Sequence, residues 1–144
     1  MAATATTVKT IISELDVPQL QTLQAEMTNQ LLVIKFGADW CGPCKKIAPN
    51  FHDYIAKAPA NIIFADIDVD ENMDLYMALK KHKMVNGIPV FFAYYSDNKK
   101  RDKWFIPDDS IVGADLKAVA EFFGRCSKKA FEMKSSHESY SYYS

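Results

Sequence analysis

No stretch of this sequence approaches the roughly 20 consecutive apolar residues that a membrane-spanning helix requires, and its longest uncharged apolar runs are strand-sized. Neither sign of charge prevails: 17 Lys and Arg stand against 18 Asp and Glu, a net charge of −1. That balance gives nucleic acid and anionic membranes no electrostatic reason to bind. Cysteine is scarce, and the odd count of three excludes a secreted scaffold built from disulfides. A reducing intracellular compartment, the cytoplasm, is the expectation. The segment Met1 to Val8 is small and Thr-rich, without the basic and apolar regions of a secretory signal. No internal repeat is visible.

What is present is an ordinary globular composition, 49% hydrophobic, 12% aromatic and 24% charged. A chain of 144 residues is expected to form one domain. It buries roughly two-thirds of its unfolded surface and needs no staples. Thr10-Ile11-Ile12 reads as a short first strand. Asp16 then caps a helix with Pro18 in its first turn and Leu20, Leu23 and Met27 in one stripe. Leu31 to Phe36 is nearly unbroken apolar sequence, the pattern of a strand buried on both faces, and its one charge is Lys35. Ile47, Phe51, Tyr54 and Ile55 recur at helical spacing, with a kink expected at Pro49. Ile62 to Ala65, extending to Val69, is another central strand. Asp70 is positioned to cap a helix that buries Met73, Tyr76, Met77 and Leu79. Val90 to Tyr95 is rich in β-formers. Trp104-Phe105-Ile106 reads as the return strand of a hairpin, followed by Ile111-Val112-Gly113. Asp115 starts a last helix carrying Leu116, Val119 and Phe123, which Gly124 either caps or interrupts. The order β-α-β-α-β-α-β-β-α implies an α/β fold, a central mixed sheet flanked by helices on both faces.

Cys41 and Cys44 lie within Trp40-Cys41-Gly42-Pro43-Cys44-Lys45. A pair at this spacing is half a zinc site, two inert thiols, or a dithiol that reversibly forms a disulfide. Structural zinc wants four ligands, usually in two pairs, and Cys126, His52, His82 and His137 are not paired at ligand spacing. Gly42-Pro43 marks a surface turn, which disfavours inert core thiols. The motif follows a buried strand and opens a helix, where terminal N–H groups stabilise a thiolate. Context therefore favours the redox dithiol.

Ala38 to Pro49, then Asp68-Val69-Asp70-Glu71-Asn72, then Gly87-Ile88-Pro89 resemble the thioredoxin family over roughly Ile11 to Phe123. The resemblance implies the thioredoxin fold; residues 1–126 read as that domain with a lengthened hairpin near 97–110, and the composition of 127–144 reads as a polar, poorly ordered tail. It implies a protein-disulfide reductase in which Cys41 is the nucleophile and Cys44 the resolving thiol. Gly42 and Pro43 would set the turn, and Trp40 would border the site or simply pack. A cis peptide is implied between Ile88 and Pro89, with Ile88 offering its backbone to an extended substrate; otherwise Pro89 merely begins a strand. The implied partners are disulfide-containing proteins and a thioredoxin reductase, the chain itself being a monomer with no bound cofactor. No nucleotide-binding fingerprint occurs, so NADPH would act through the reductase. A scaffold that keeps the fold to hold a partner is the alternative. An oxidant or isomerase is disfavoured by the Gly-Pro dipeptide and the missing signal.

Two departures from the family pattern stand out. The family's buried Asp, six residues before the first cysteine, is here Lys35, and its Lys partner on the next strand is here Asp66. The pair is expected to be swapped, Asp66 handling the proton of Cys44 and Lys35 lowering thiol pKa values, unless each side chain reaches solvent separately. The second departure is the charged stretch Asp97 to Ser110, a solvated loop or a docking surface. Cys126 reads as a buried or half-exposed thiol, with a regulatory disulfide or dimer as the sharper alternative.

Overall fold

The computed structural model describes residues 9–143, with side chains described through Ser135. The lead from Met1 to Val8, Ser144 and the side chains of 136–143 lie outside the described residues. Nine elements follow in the expected order: β1 (Ile11–Ile12), α1 (Val17–Glu26), β2 (Leu31–Gly37), α2 (Gly42–Lys57), β3 (Ile62–Asp68), α3 (Met73–Lys81), β4 (Val90–Tyr95), β5 (Asp109–Val112) and α4 (Leu116–Tyr143). The strands lie side by side as β1-β3-β2-β4-β5. The first three are parallel, and β4 and β5 run antiparallel to their neighbours. This is the mixed α/β sheet that the sequence implies.

Alternation along β2 divides the core in two. Leu32, Ile34 and Phe36 pack with Leu20, Leu75 and Leu79 of α1 and α3, whereas Leu31 and Val33 pack with Ile47, Phe51 and Ile55 of α2 and Val119 and Phe122 of α4. All seven β2 residues are buried, because helices cover both faces. Lys35 continues the α2-facing set, and Asp66 continues the matching set Ile62 and Phe64 on β3. Two charges thus share an otherwise apolar face. Asp16 caps α1 as expected, closing a capping box with Gln19. The helix α2 runs unbroken through Pro49.

Several expectations are corrected. The hairpin returns at Asp109–Val112, and Trp104 and Phe105 instead fold back, partly buried, against the first core. Arg101 holds this excursion: it bonds Asp108 at 2.5 Å and the carbonyls of Ile106 and Tyr95, and stacks 5.0 Å from the centre of the Tyr94 ring. Phe105 stacks on His82 at 3.7 Å. Burying these rings displaces strand pairing. On α3 the buried residues are Leu75 and Leu79, while Met73 and Met77 are exposed. Its N-cap is Asn72, not Asp70, and Asn72 makes no capping bond. That side chain is committed elsewhere, accepting from Leu15 N–H and donating to the Ser13 and Asp68 carbonyls.

The expected break at Ser127 is also corrected. The helix α4 passes through Gly124 and onward, with Ala130 and Met133 buried. Asn61 donates to the Ala130 carbonyl, and Lys129 bonds Asp97. The segment reads as polar because only one residue in three or four faces the core.

Candidate active site

Cys41 lies just after β2, at the N-cap of α2, with Gly42 and Pro43 in the first turn. The backbone makes the site directional. Cys44 N–H points at Cys41 Sγ, 3.2 Å away, so a free amide of the first helical turn addresses the outer sulfur. The two cysteines are joined as a disulfide with Cα atoms 5.2 Å apart. Cys41 is 5% exposed and Cys44 3%, so the expected contrast between an open and a buried sulfur is small in the disulfide form. Cys44 Sγ rests against Gly37, where even a Cβ would approach it to 3.3 Å. Gly37 is therefore a close-contact position beside the inner sulfur. Gly42 has no such neighbour, and a side chain there would meet nothing within 4 Å.

The Ile88–Pro89 peptide is cis. It brings the Ile88 carbonyl oxygen to 3.8 Å from Cys41 Sγ. Pro89 has no N–H, and its carbonyl accepts from Gly113, which ties the segment to the end of β5. Beside it runs a cleft of about 320 Å³ between Trp40 and α3, lined by Met73, Tyr76, Met77 and Ile88 among others. Trp40 is 69% exposed, and its indole N–H donates to Asp70 at 2.8 Å, which holds the ring over the cleft. The exposed Met73 and Met77 belong to this wall. Their helical spacing alone suggested core packing.

On the other side of Cys44 lies a polar cavity of about 350 Å³ bordered by Lys35, Gly37, Cys44, Ala48 and Asp66. Lys35 and Asp66 are directly opposed in register, with Nζ 3.9 Å from Oδ1. The Lys35 side chain is 7% exposed, so it does not reach solvent separately. Its ammonium lies 5.8 Å from the centre of the Phe51 ring, a second partial compensation for burial. His52, unassigned by its sequence context, stands 3.6 Å from the other Asp66 oxygen. Its signal was spacing, since Cys44, Ala48 and His52 recur every four residues along α2. Among the described residues no group of three or more His, Cys, Asp or Glu side chains could hold a metal ion.

Cys126 is a free, fully buried thiol. Burial pushes it up to about 12, Asp109 adds to the shift and Arg125 opposes it. Such a thiol stays protonated, which argues against a regulatory disulfide.

A bonded dithiol at a helix N-terminus, with a cis proline segment beside it and a cleft alongside, defines a disulfide-exchange domain. The comparisons give the family. The thioredoxin family model matches residues 6–111. A thioredoxin of Ophiophagus hannah is 39% identical over 87 residues, 58% of this chain and 77% of that protein. A thioredoxin of Neurospora crassa is 35% identical over 109 residues, 71% of this chain and 79% of that protein. The crystal structure of reduced Schistosoma mansoni thioredoxin pre-protein superposes with a TM-score of 0.57 at 29% identity, covering 81% of this chain and 98% of that one. A chain from a structural study of thiol resolution in yeast mitochondrial 1-Cys peroxiredoxin, through glutathione and thioredoxin systems, gives 0.58 at 27% identity, covering 79% and 94%. The chain belongs to the thioredoxin family and is a thiol–disulfide oxidoreductase. With both cysteines present and bonded, a scaffold without the chemistry is not favoured.

Proposed function

We propose that this protein reduces disulfides in other proteins, and the observation that carries the reading is the Cys41–Cys44 pair beside the Ile88 carbonyl. In the reduced form Cys41 is the nucleophile, because the helix N-terminus and the Cys44 N–H favour its thiolate. It attacks a substrate sulfur, and the first substrate thiolate leaves. Cys44 then bonds to Cys41 Sγ, the mixed disulfide breaks, and the second substrate thiolate departs and takes up a proton. Two electrons have passed to the substrate, and Cys41–Cys44 is oxidised. Gly42 and Pro43 hold the two sulfurs in one turn. Ile88 and Pro89, with Trp40, are suited to an extended substrate segment, since Pro89 lacks an N–H and the cleft continues along α3.

The inner step needs a base, and Asp66 is suited to the task, sharing the cavity behind Cys44. Lys35 pairs with the carboxylate and adds positive potential beside the thiol. A thioredoxin reductase drawing on NADPH would restore the dithiol, and the protein would act as a cytoplasmic monomer. A disulfide on a peroxiredoxin-like protein exemplifies the substrate class, given the study from which one structural neighbour comes. The test pairs insulin reduction by wild type and Cys41→Ser with trapping by Cys44→Ser. The expected results are activity lost in Cys41→Ser and stable mixed disulfides through Cys41 in Cys44→Ser. Wild type inactive with dithiothreitol as electron donor would refute the reading.

A further inference from the structure

The carboxylate of Asp66 faces two bases of opposite accessibility. Lys35 Nζ stands 3.9 Å from Oδ1 and is 7% exposed as a side chain, whereas His52 Nε2 stands 3.6 Å from Oδ2 and is 59% exposed. The difference decides what each can do. A buried ammonium supplies a fixed charge. An imidazole more than half in solvent can both accept a proton and release it to water. On α2, Cys44, Ala48 and His52 share one stripe, so the thiol, the carboxylate's cavity and the imidazole follow one another along a single helix face.

We infer that His52 is the outer positioning residue of a proton path that runs from Cys44 through Asp66 to solvent. This rests on the assignment of Asp66 as the base for Cys44. In the mixed disulfide the Cys44 proton moves to the Asp66 carboxylate. The Cys44 thiolate then forms its bond to Cys41 Sγ as the bond from Cys41 to the substrate breaks. Asp66 passes its proton to neutral His52, and the imidazolium releases it to water. The step takes no electrons from outside. At 3.6 Å the imidazole stands just beyond hydrogen-bond length of the carboxylate.

A neutral His52 is the form that accepts. The charges facing Asp66 are Lys35 from β2 and His52 from α2, with Asp39, Lys45, Asp68 and Glu71 bordering the same cavity.

The test uses the reduced protein mixed with excess dithiobis(nitrobenzoate). Attack by Cys41 releases one chromophore and resolution by Cys44 a second, so the two phases are read separately. His52→Gln is expected to slow the second phase at pH 7 by about tenfold. This is less than the roughly 10²-fold of a positioned acid or base, because water partly replaces an exposed ring. It should leave the first phase unchanged. Asp66→Asn should slow the second phase at least as much, and the double variant no more than Asp66→Asn. If Asp66→Asn slows resolution while His52→Gln matches wild type at every pH, the path does not pass through His52 and the role of Asp66 stands. If Asp66→Asn changes neither phase, the underlying assignment fails and the inference with it. Equal slowing of both phases by His52→Gln would also overturn it, as a general disturbance of α2.

Discussion

Exchanging the charges of a buried pair should leave a measurable coupling between Lys35 and Asp66. At 3.9 Å, two unit charges attract by about 4 kcal/mol at an effective dielectric of 20. That is a gross figure. Asp66 is 33% exposed, so solvent screens it, and a net coupling of about 1–2 kcal/mol is expected. The single variants should be unequal. Lys35→Met replaces a desolvated ammonium with an apolar chain of similar reach against Phe51, and should lie within about 1 kcal/mol of wild type. Asp66→Asn strands the 7%-exposed ammonium, and should cost about 2–3 kcal/mol, short of the roughly 3–5 of a fully sealed pair. In Lys35→Met/Asp66→Asn most of that penalty vanishes, because no charge is left to strand. The assay is urea unfolding of the oxidised proteins at pH 7, assembled as a double-mutant cycle with m-values compared. A coupling below about 0.5 kcal/mol is indistinguishable from additivity and would refute the pair as an energetic unit.

Three further outcomes are expected. Burial pushes Cys126, Tyr54 and Tyr95 each up to about 12, from 9.0 for the thiol and 10.0 for the phenols. Folded pKa values above the unfolded ones give stability that is intact below about pH 9 and lost as pH rises toward 12. Urea midpoints measured at pH 8, 10 and 11 should therefore fall, and an unchanged midpoint would contradict the burial. Ending the chain after Ser127 exposes the site of Met133 and deprives Asn61 of the Ala130 carbonyl; a loss of about 2–4 kcal/mol with disulfide reductase activity retained is expected in denaturation and insulin assays. Asn72→Ala leaves the Leu15 N–H and two carbonyls without their partner and should cost about 2–3 kcal/mol; a shift of the thermal midpoint by less than a degree would show that water replaces the side chain.

Much of the fold was legible because its signals are local. The apolar run of β2, the Asp16 cap and the alternation of strand and helix each follow from a few neighbouring residues. The outer architecture was less so. Trp104 to Ile106 has the composition of a strand, yet its rings are drawn down by His82 and the first core, which lie far away in sequence. The sequence beyond Ser127 is polar on average, and averages hide a helix that buries Ala130 and Met133 among its described side chains. Met73 and Met77 keep a helical period without facing the core, because the cleft beside Trp40 leaves that side of α3 open.

The sequence by itself determined the dithiol, its place between a buried strand and a helix, and the presence of a Lys and an Asp in strands that should carry neither. Those features need only composition and spacing. Tertiary structure decided what they face. The parallel register of β2 and β3 sets Lys35 against Asp66, the Ile88–Pro89 turn brings a carbonyl to Cys41, and the turn of α2 delivers His52 to the same carboxylate. Side-chain charges have no direction until strands are paired and helices are docked. A residue as ordinary in sequence as His52 therefore acquires a chemical position only when the two are assembled.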